Sequence, residues 1–167
     1  AVYVIFAAFL PSSLASVYFR INAEDLTVKY SVKAYEKSGD VNDLATLTER
    51  VIVFDNDELT ALYGTMLIND ENYSQVVNGN SSGYHYYVVG SLVESLYQTG
   101  KKQEAVDVAF LNTSTLSGGN PIEVVIVCSL ENNDKQTATL IQEKLALKEP
   151  NDKINSYLGA INDLLNK

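Results

Sequence analysis

Histidine and cysteine, two common catalytic residues, occur once each in this chain, and neither has the sequence partners that catalysis needs. The single histidine, His85, stands in the run Tyr84-His85-Tyr86-Tyr87 with no cysteine near it. A zinc site needs several His or Cys ligands, and a nucleophilic triad needs a base beside its nucleophile, so neither can be assembled. We therefore expect His85 to be a packing or surface residue and the chain to have no enzymatic activity.

Two short patterns resemble ligand sites but fail at their decisive positions. Asp55-Asn56-Asp57 begins like a calcium loop, but Thr60 stands at position six, where a glycine is needed, and Met66 at position twelve, where a glutamate is needed. Gly118-Gly119 is not followed by the Lys and Ser or Thr of a phosphate-binding loop. The only cysteine, Cys128, lies in an apolar run and is expected to be a buried thiol. We expect neither a metal nor a cofactor.

The middle of the chain combines negative charge with tyrosine. Between Val51 and Gly100 there is no Lys or Arg, and six of the eleven tyrosines fall in that span. Tyrosine joins a rigid apolar ring to a polar tip and is enriched in protein interfaces. An acidic, tyrosine-rich groove would suit a basic or amphipathic peptide, and we predict a binding site formed by Asp57, Glu58, Tyr63, Asp70, Glu71, Tyr84, Tyr86 and Tyr87. The alternative is that the tyrosines pack between helices and the acids form a solvated face.

Overall composition excludes one large class of partner. The 167 residues carry 12 Lys and Arg against 21 Asp and Glu, a formal net charge of -9. Such a charge opposes nucleic-acid backbones, so we expect no DNA or RNA binding. The length and the apolar content suit a chain that buries a core without a metal or disulfide.

The first nineteen residues carry no charge, and the run ends at Arg20. About 20 apolar residues can span a bilayer, so a transmembrane anchor over residues 1–20 is our leading interpretation. A helix buried between subunits of an assembly is the second interpretation. The third is a signal-peptide remnant, with Ser13-Leu14-Ala15 as a weak cleavage site.

The remaining residues predict pairs of helices separated by short junctions. Four junctions, marked by Gly39, Glu71, Gly100 and Asn133, follow one another at steps of 32, 29 and 33 residues. The apolar spacing around them predicts helices that begin near Ala23, Asn42, Glu58, Tyr73, Tyr84, Lys102, Pro121, Lys135 and Asp152. Units of this size stack on their neighbours to bury their apolar faces, as in helical solenoids.

The chain resembles the tetratricopeptide repeat family in the residues at its helix crossings. The third pair shows this pattern in Val89, Leu92, Val93, Leu96, Gly100, Ala105 and Ala109, and the second in Tyr63-Gly64, Leu67, Tyr73 and Val76. With its apolar leader, the chain is also similar in general terms to bacterial membrane-anchored repeat proteins. The resemblance implies a binding face on the concave side of the repeats.

These observations together predict an all-α chain: a right-handed α-solenoid of about four tetratricopeptide-like hairpins, with an apolar helix at residues 1–20 and repeats over residues 21–167 that end in a capping helix. We expect a membrane-tethered scaffold, with its repeats outside the cytoplasm, that binds a protein or a basic peptide. The alternative is a structural subunit that forms an oligomer or filament through its N-terminal helix.

Overall fold

The prediction of an all-helical chain is confirmed. The computed structural model describes residues 10–81, 83–114 and 119–167, and within them the chain forms ten α-helices and no strand. Their bounds agree closely with the expected starts: α1 Pro11–Arg20, α2 Glu24–Ser38, α3 Val41–Val53, α4 Asp57–Ile68, α5 Tyr73–Gly79, α6 Tyr84–Gln98, α7 Lys102–Leu111, α8 Pro121–Glu131, α9 Lys135–Leu145 and α10 Asp152–Leu165.

Three of the four predicted junctions end their helices with a left-handed residue. Gly39, Gly100 and Asn133 have φ values of 64°, 82° and 50°. Glycine adopts this conformation without steric penalty, and asparagine tolerates it better than most residues. After α6, the Lys101 amide donates to the Leu96 carbonyl at 2.8 Å, and after α8 the Asp134 amide donates to the Ser129 carbonyl at 2.9 Å. These backbone bonds satisfy carbonyls that the helix ends would leave unpaired.

The chain divides into two compact units, one ending at Val88 and the other running from Val89 to Lys167, so that the division falls inside α6. In the first unit, α2 packs on α1 and α3, and α3 also packs on α4 and α5. One buried cluster joins these helices: Val41, Leu44, Ala45, Leu67, Tyr73, Val76, Tyr84 and Val88.

The buried face of α2 differs from the predicted one. The helical spacing of Leu26, Tyr30, Ala34 and Tyr35 predicts that they share the buried face of this helix, but the Leu26 side chain is 38% exposed. The helix instead buries Thr27, Ser31 and Ala34. The small hydroxyl residues can be buried because each has a partner: the Thr27 hydroxyl donates to the Ala23 carbonyl, and the Ser31 hydroxyl accepts from an arginine of α3.

That arginine, Arg50, links three helices of the first unit. Its Nη1 donates to the Ser31 hydroxyl of α2 and its Nη2 to the Ser16 hydroxyl of α1, both at 2.8 Å. Its guanidinium also lies 5.7 Å from the centre of the Phe19 ring. A planar group with several fixed donors suits such a half-buried junction, where a lysine could not serve both hydroxyls in the same geometry.

The prediction of a membrane anchor over residues 1–20 is wrong for the part that the structure describes. Among residues 10–81, 83–114 and 119–167, no helix is both long enough and apolar enough to cross a bilayer. The described helix of this segment, α1, has ten residues and begins at Pro11 because proline lacks an amide hydrogen and favours the first position of a helix. The predicted localisation, a membrane-tethered chain with its repeats outside the cytoplasm, depended on that anchor and is corrected as well. Residues 1–9 lie outside the described residues.

In the second unit, helices pack on their nearest and second-nearest neighbours. Contacts join α7 with α8 and α9, and α10 with α8 and α9. The residues predicted to face inward on α6 and α7, Leu92, Leu96, Ala105 and Ala109, are fully buried, which confirms that register. Alanine at such positions is small enough to allow the close approach of a neighbouring helix.

Asp134 holds the helices of the second unit together through its carboxylate. The carboxylate accepts the Thr137 amide at 3.1 Å and hydroxyl at 2.8 Å, which caps α9. It also accepts the Tyr97 hydroxyl of α6 at 2.9 Å and forms an ion pair with Lys102 of α7 at 2.7 Å. Burial alone would raise the pKa of Asp134, but the bonds from Lys102, Thr137 and Tyr97 hold it well below its usual value.

Candidate functional site

The structure separates the predicted tyrosines into core and surface residues. Tyr84 belongs to the buried cluster of the first unit, and Tyr63 packs half-buried against that cluster. Tyr86 is half-buried, and Tyr87 is 45% exposed. Among these predicted site residues, Tyr87 therefore presents the largest aromatic surface to solvent, whereas Tyr84 cannot contact a partner without leaving the core.

Glu49 of α3 was not predicted, and it lies beside the tyrosines of α6. Burial and the Glu49 carboxylate both raise the pKa of Tyr87 and of Tyr84 above the usual tyrosine value. The buried Tyr84 hydroxyl nevertheless has no hydrogen-bond partner among the described residues, so the Glu49 carboxylate is close to it without meeting hydrogen-bond geometry. No local pattern indicates this proximity, because 35 positions separate Glu49 from Tyr84.

His85 takes part in the same aromatic packing. Its Nδ1 lies 3.2 Å from the Tyr73 hydroxyl, and its ring centre lies 5.7 Å from that of Tyr86. Burial raises the pKa of Tyr73 to about 12, so this hydroxyl stays protonated at neutral pH. The arrangement fits the expected packing role of His85. In the described part of the chain, no group of three or more His, Cys, Asp or Glu side chains is placed to hold a metal ion.

The four predicted acidic residues occupy opposite ends of α4. Asp57 and Glu58 form its first turn, where negative charge interacts favourably with the helix dipole. Asp70 and Glu71 follow its last residue, and the Asp70 carboxylate accepts the Asn72 amide at 2.8 Å. Twelve residues at a rise of about 1.5 Å each separate the pairs by about 18 Å, so they do not form one compact patch.

A groove that no sequence pattern predicts lies between α6 and α8 in the second unit. Its volume is about 220 Å³, and Val124, Val127 and Cys128 of α8 line its apolar part. The polar lining comes from Gln98 and three carboxylates, those of Glu94, Glu123 and Glu131. We name this feature the α6–α8 groove. It brings Glu94 together with residues of α8 that are 29 to 37 positions distant in the sequence.

The cysteine of the α6–α8 groove is nearly buried, as the sequence predicted. Burial, together with the charges of Glu94 and Glu131, raises the pKa of the Cys128 thiol to about 11. The thiol is therefore protonated and weakly reactive at neutral pH. It contributes to the apolar lining of the groove and is not placed to act as a nucleophile.

Comparison of the chain with protein-family models, with curated proteins and with solved structures finds no match. The resemblance to tetratricopeptide repeats consequently stays a prediction from the residues at the helix crossings.

Proposed function

We propose that this chain is a non-catalytic helical scaffold that binds a protein or peptide with basic side chains. The finer architecture belongs to the same proposal: tetratricopeptide-like hairpins, about four in number, stacked as a right-handed solenoid and closed by α10. Its support is the regular spacing of the junctions and, in the second unit, the packing of α7 on both α8 and α9 and of α10 on both α9 and α8.

The binding proposal rests on one observation: the aromatic ring of Tyr87 is exposed and lies beside the carboxylate of Glu49. The ring is 45% exposed, and burial together with the Glu49 charge raises the pKa of the Tyr87 hydroxyl. The sequence from residue 51 to residue 100 contains no Lys or Arg. Arg50 interacts electrostatically with Glu49, but it donates its hydrogen bonds to Ser16 and Ser31. An aromatic face next to a carboxylate suits a Lys or Arg side chain, because the cation can contact both.

Selection from a random peptide library displayed against the purified chain tests this proposal. We expect enrichment of peptides that contain Lys or Arg, and weaker binding as the salt concentration rises. The variant with Tyr87→Ala and Glu49→Gln should bind the selected peptides less well. Tyr30→Ala with Glu104→Gln is the control, since it also removes one tyrosine ring and one negative charge.

Selection without charge preference, or equal binding by both double variants with circular dichroism showing both folded, would contradict a binding role for Tyr87 and Glu49. Because the library is not restricted to any ligand class, the selected peptides themselves reveal the chemistry that the surface prefers.

A second candidate function, a structural subunit that assembles with copies of itself, is favoured by α1. Val17 and Ile21 are 55% and 66% exposed, and Leu10 is also exposed. Leu10 and Val17 are seven positions apart, and Val17 and Ile21 are four apart, so the three side chains lie along one side of α1. Leu10 and Ile21 stand just beyond its two ends. The opposite side packs on α2 and buries Ala15.

Sedimentation over a range of concentrations separates this second candidate from the scaffold. A subunit would form larger species that Val17→Lys with Ile21→Lys disperses, because the charges would have to be buried at the contact. A chain that stays monomeric at every concentration would exclude assembly through this stripe.

A further inference from the structure

We propose that the α6–α8 groove binds one arginine or lysine side chain of a partner peptide, with Glu94 and Glu131 contacting the cation and Val124 and Val127 contacting its aliphatic stem. This proposal rests on the proposed peptide-binding function, and it assigns a site in the second unit that is separate from Tyr87 and Glu49.

The shape of the groove fits a single side chain. On α8, Glu123, Val127 and Glu131 follow one another at intervals of four residues, so they form one row about 12 Å long. On α6, Glu94 and Gln98 are also four residues apart and form the other wall. A volume of about 220 Å³ is below the range of about 300 to 1,000 Å³ that is typical of small-molecule sites. A long side chain entering from a peptide is the more suitable occupant.

The charge of the groove determines which side chain fits. Both Glu94 and Glu131 are exposed, and within the described part of the chain neither forms an ion pair or a hydrogen bond. The third carboxylate, Glu123, is already engaged, since it accepts the Gly119 amide at 2.9 Å and lies 3.8 Å from the Lys153 ammonium. A cation would therefore be drawn to Glu94 and Glu131, whose charges both act on the Cys128 thiol in the groove.

The apolar lining argues for a side chain rather than a bare metal ion. Val127 is 44% exposed, and Val124 and Cys128 continue the apolar surface beside it. Metal ions are held by clustered ligands, and within the described part of the chain no three His, Cys, Asp or Glu side chains are grouped to hold one. Arginine and lysine, in contrast, bury an aliphatic stem against apolar surface while their charged end contacts carboxylates.

Side-chain methyl spectra of the full chain provide the test. Three peptides serve as probes, acetyl-Ala-Arg-Ala-amide, its lysine counterpart and its citrulline counterpart, which keeps the shape of arginine without the charge. We expect the arginine and lysine peptides to shift the Val124 and Val127 methyl signals until saturation, with citrulline binding at least about threefold more weakly. Glu94→Gln with Glu131→Gln should weaken arginine binding by about threefold to tenfold.

The control is Glu104→Gln with Glu143→Gln, which removes the same net charge from exposed positions of α7 and α9 outside the groove. This control should bind the arginine peptide within about twofold of the unsubstituted chain, because distant exposed charges are screened by salt. Equal loss of binding in both double variants would overturn the proposal in favour of non-specific attraction by the net charge.

Equal affinity for arginine and citrulline, or shifts that do not include the Val124 and Val127 methyls, would also overturn it. The two proposals remain distinguishable. Library peptides whose binding depends on Tyr87 but not on Glu94 and Glu131 support the first site alone, and the converse dependence supports the groove alone.

Discussion

Replacing Asp134 by Ala should destabilise the second unit strongly, because four interactions converge on this one carboxylate. The change removes the cap of α9, which is worth about 0.5 to 2 kcal/mol. It also deprives the Tyr97 hydroxyl of its acceptor, and since Tyr97 is only 3% exposed, we expect a further cost of about 1 to 3 kcal/mol. The Lys102 ion pair adds little, because the Lys102 side chain is 44% exposed. The free energy of unfolding should fall by about 2 to 4 kcal/mol.

Asp134→Asn removes the negative charge but keeps the helix cap, since asparagine also caps helices well. We expect this variant to lose about 1 kcal/mol at neutral pH. The folded pKa of Asp134 is held below its unfolded value, so the carboxylate stabilises the folded chain above about pH 4 and loses that effect as the pH falls further. The difference in stability between the natural chain and Asp134→Asn should therefore shrink as the pH falls below about 4.

Urea unfolding followed by circular dichroism at several pH values measures both effects, with Tyr97→Phe completing a double-mutant cycle. We expect a coupling energy of about 1 kcal/mol between Tyr97 and Asp134, because the Tyr97 hydroxyl oxygen lies 2.9 Å from Asp134 Oδ2. An unchanged urea midpoint for Asp134→Ala would refute the role given to this carboxylate. The same holds if the stability difference between the natural chain and Asp134→Asn is equal at pH 7 and pH 3.

Three further predictions concern the packing of the helices. Arg50→Met removes the hydrogen bonds to Ser16 and Ser31. It should lower the free energy of unfolding by about 1 to 3 kcal/mol and accelerate amide hydrogen exchange in α1. Unchanged exchange would show that α1 is held by other contacts. Ala105→Phe should cost about 1 to 3 kcal/mol, because residue 105 is fully buried, and an unchanged melting temperature would contradict its position. A short Gly-Ser insertion between Asn80 and Ser81, both exposed, should leave the chain folded, which circular dichroism can verify.

The elements of the fold could be predicted from local sequence, whereas the contacts between distant elements could not. Capping residues and apolar spacing indicate where helices start and stop, and the left-handed residues Gly39 and Gly100 stand where the sequence placed junctions. The buried face of α2 was missed because Arg50 supplies a partner for Ser31 from another helix. No periodicity within α2 can reveal that partner.

The candidate sites show the same limit. The acidic and aromatic character of the middle of the chain was readable from composition, but burial divides its tyrosines between core and surface. The α6–α8 groove depends on Glu94 meeting residues of α8, which only tertiary packing determines. The start of α1 at Pro11 could have been predicted from the sequence, because proline favours the first turn of a helix over its interior.

The scaffold account is tested most directly by the affinity of the full chain for a basic library-selected peptide and for its charge-reversed twin, in which each Lys or Arg is Glu. Fluorescence anisotropy at two salt concentrations measures both. The account predicts saturable binding of the basic peptide, weaker binding at high salt, and no measurable binding of the twin, because the chain carries a formal charge of -9. Equal binding of the two peptides, or binding of the acidic twin alone, would contradict it.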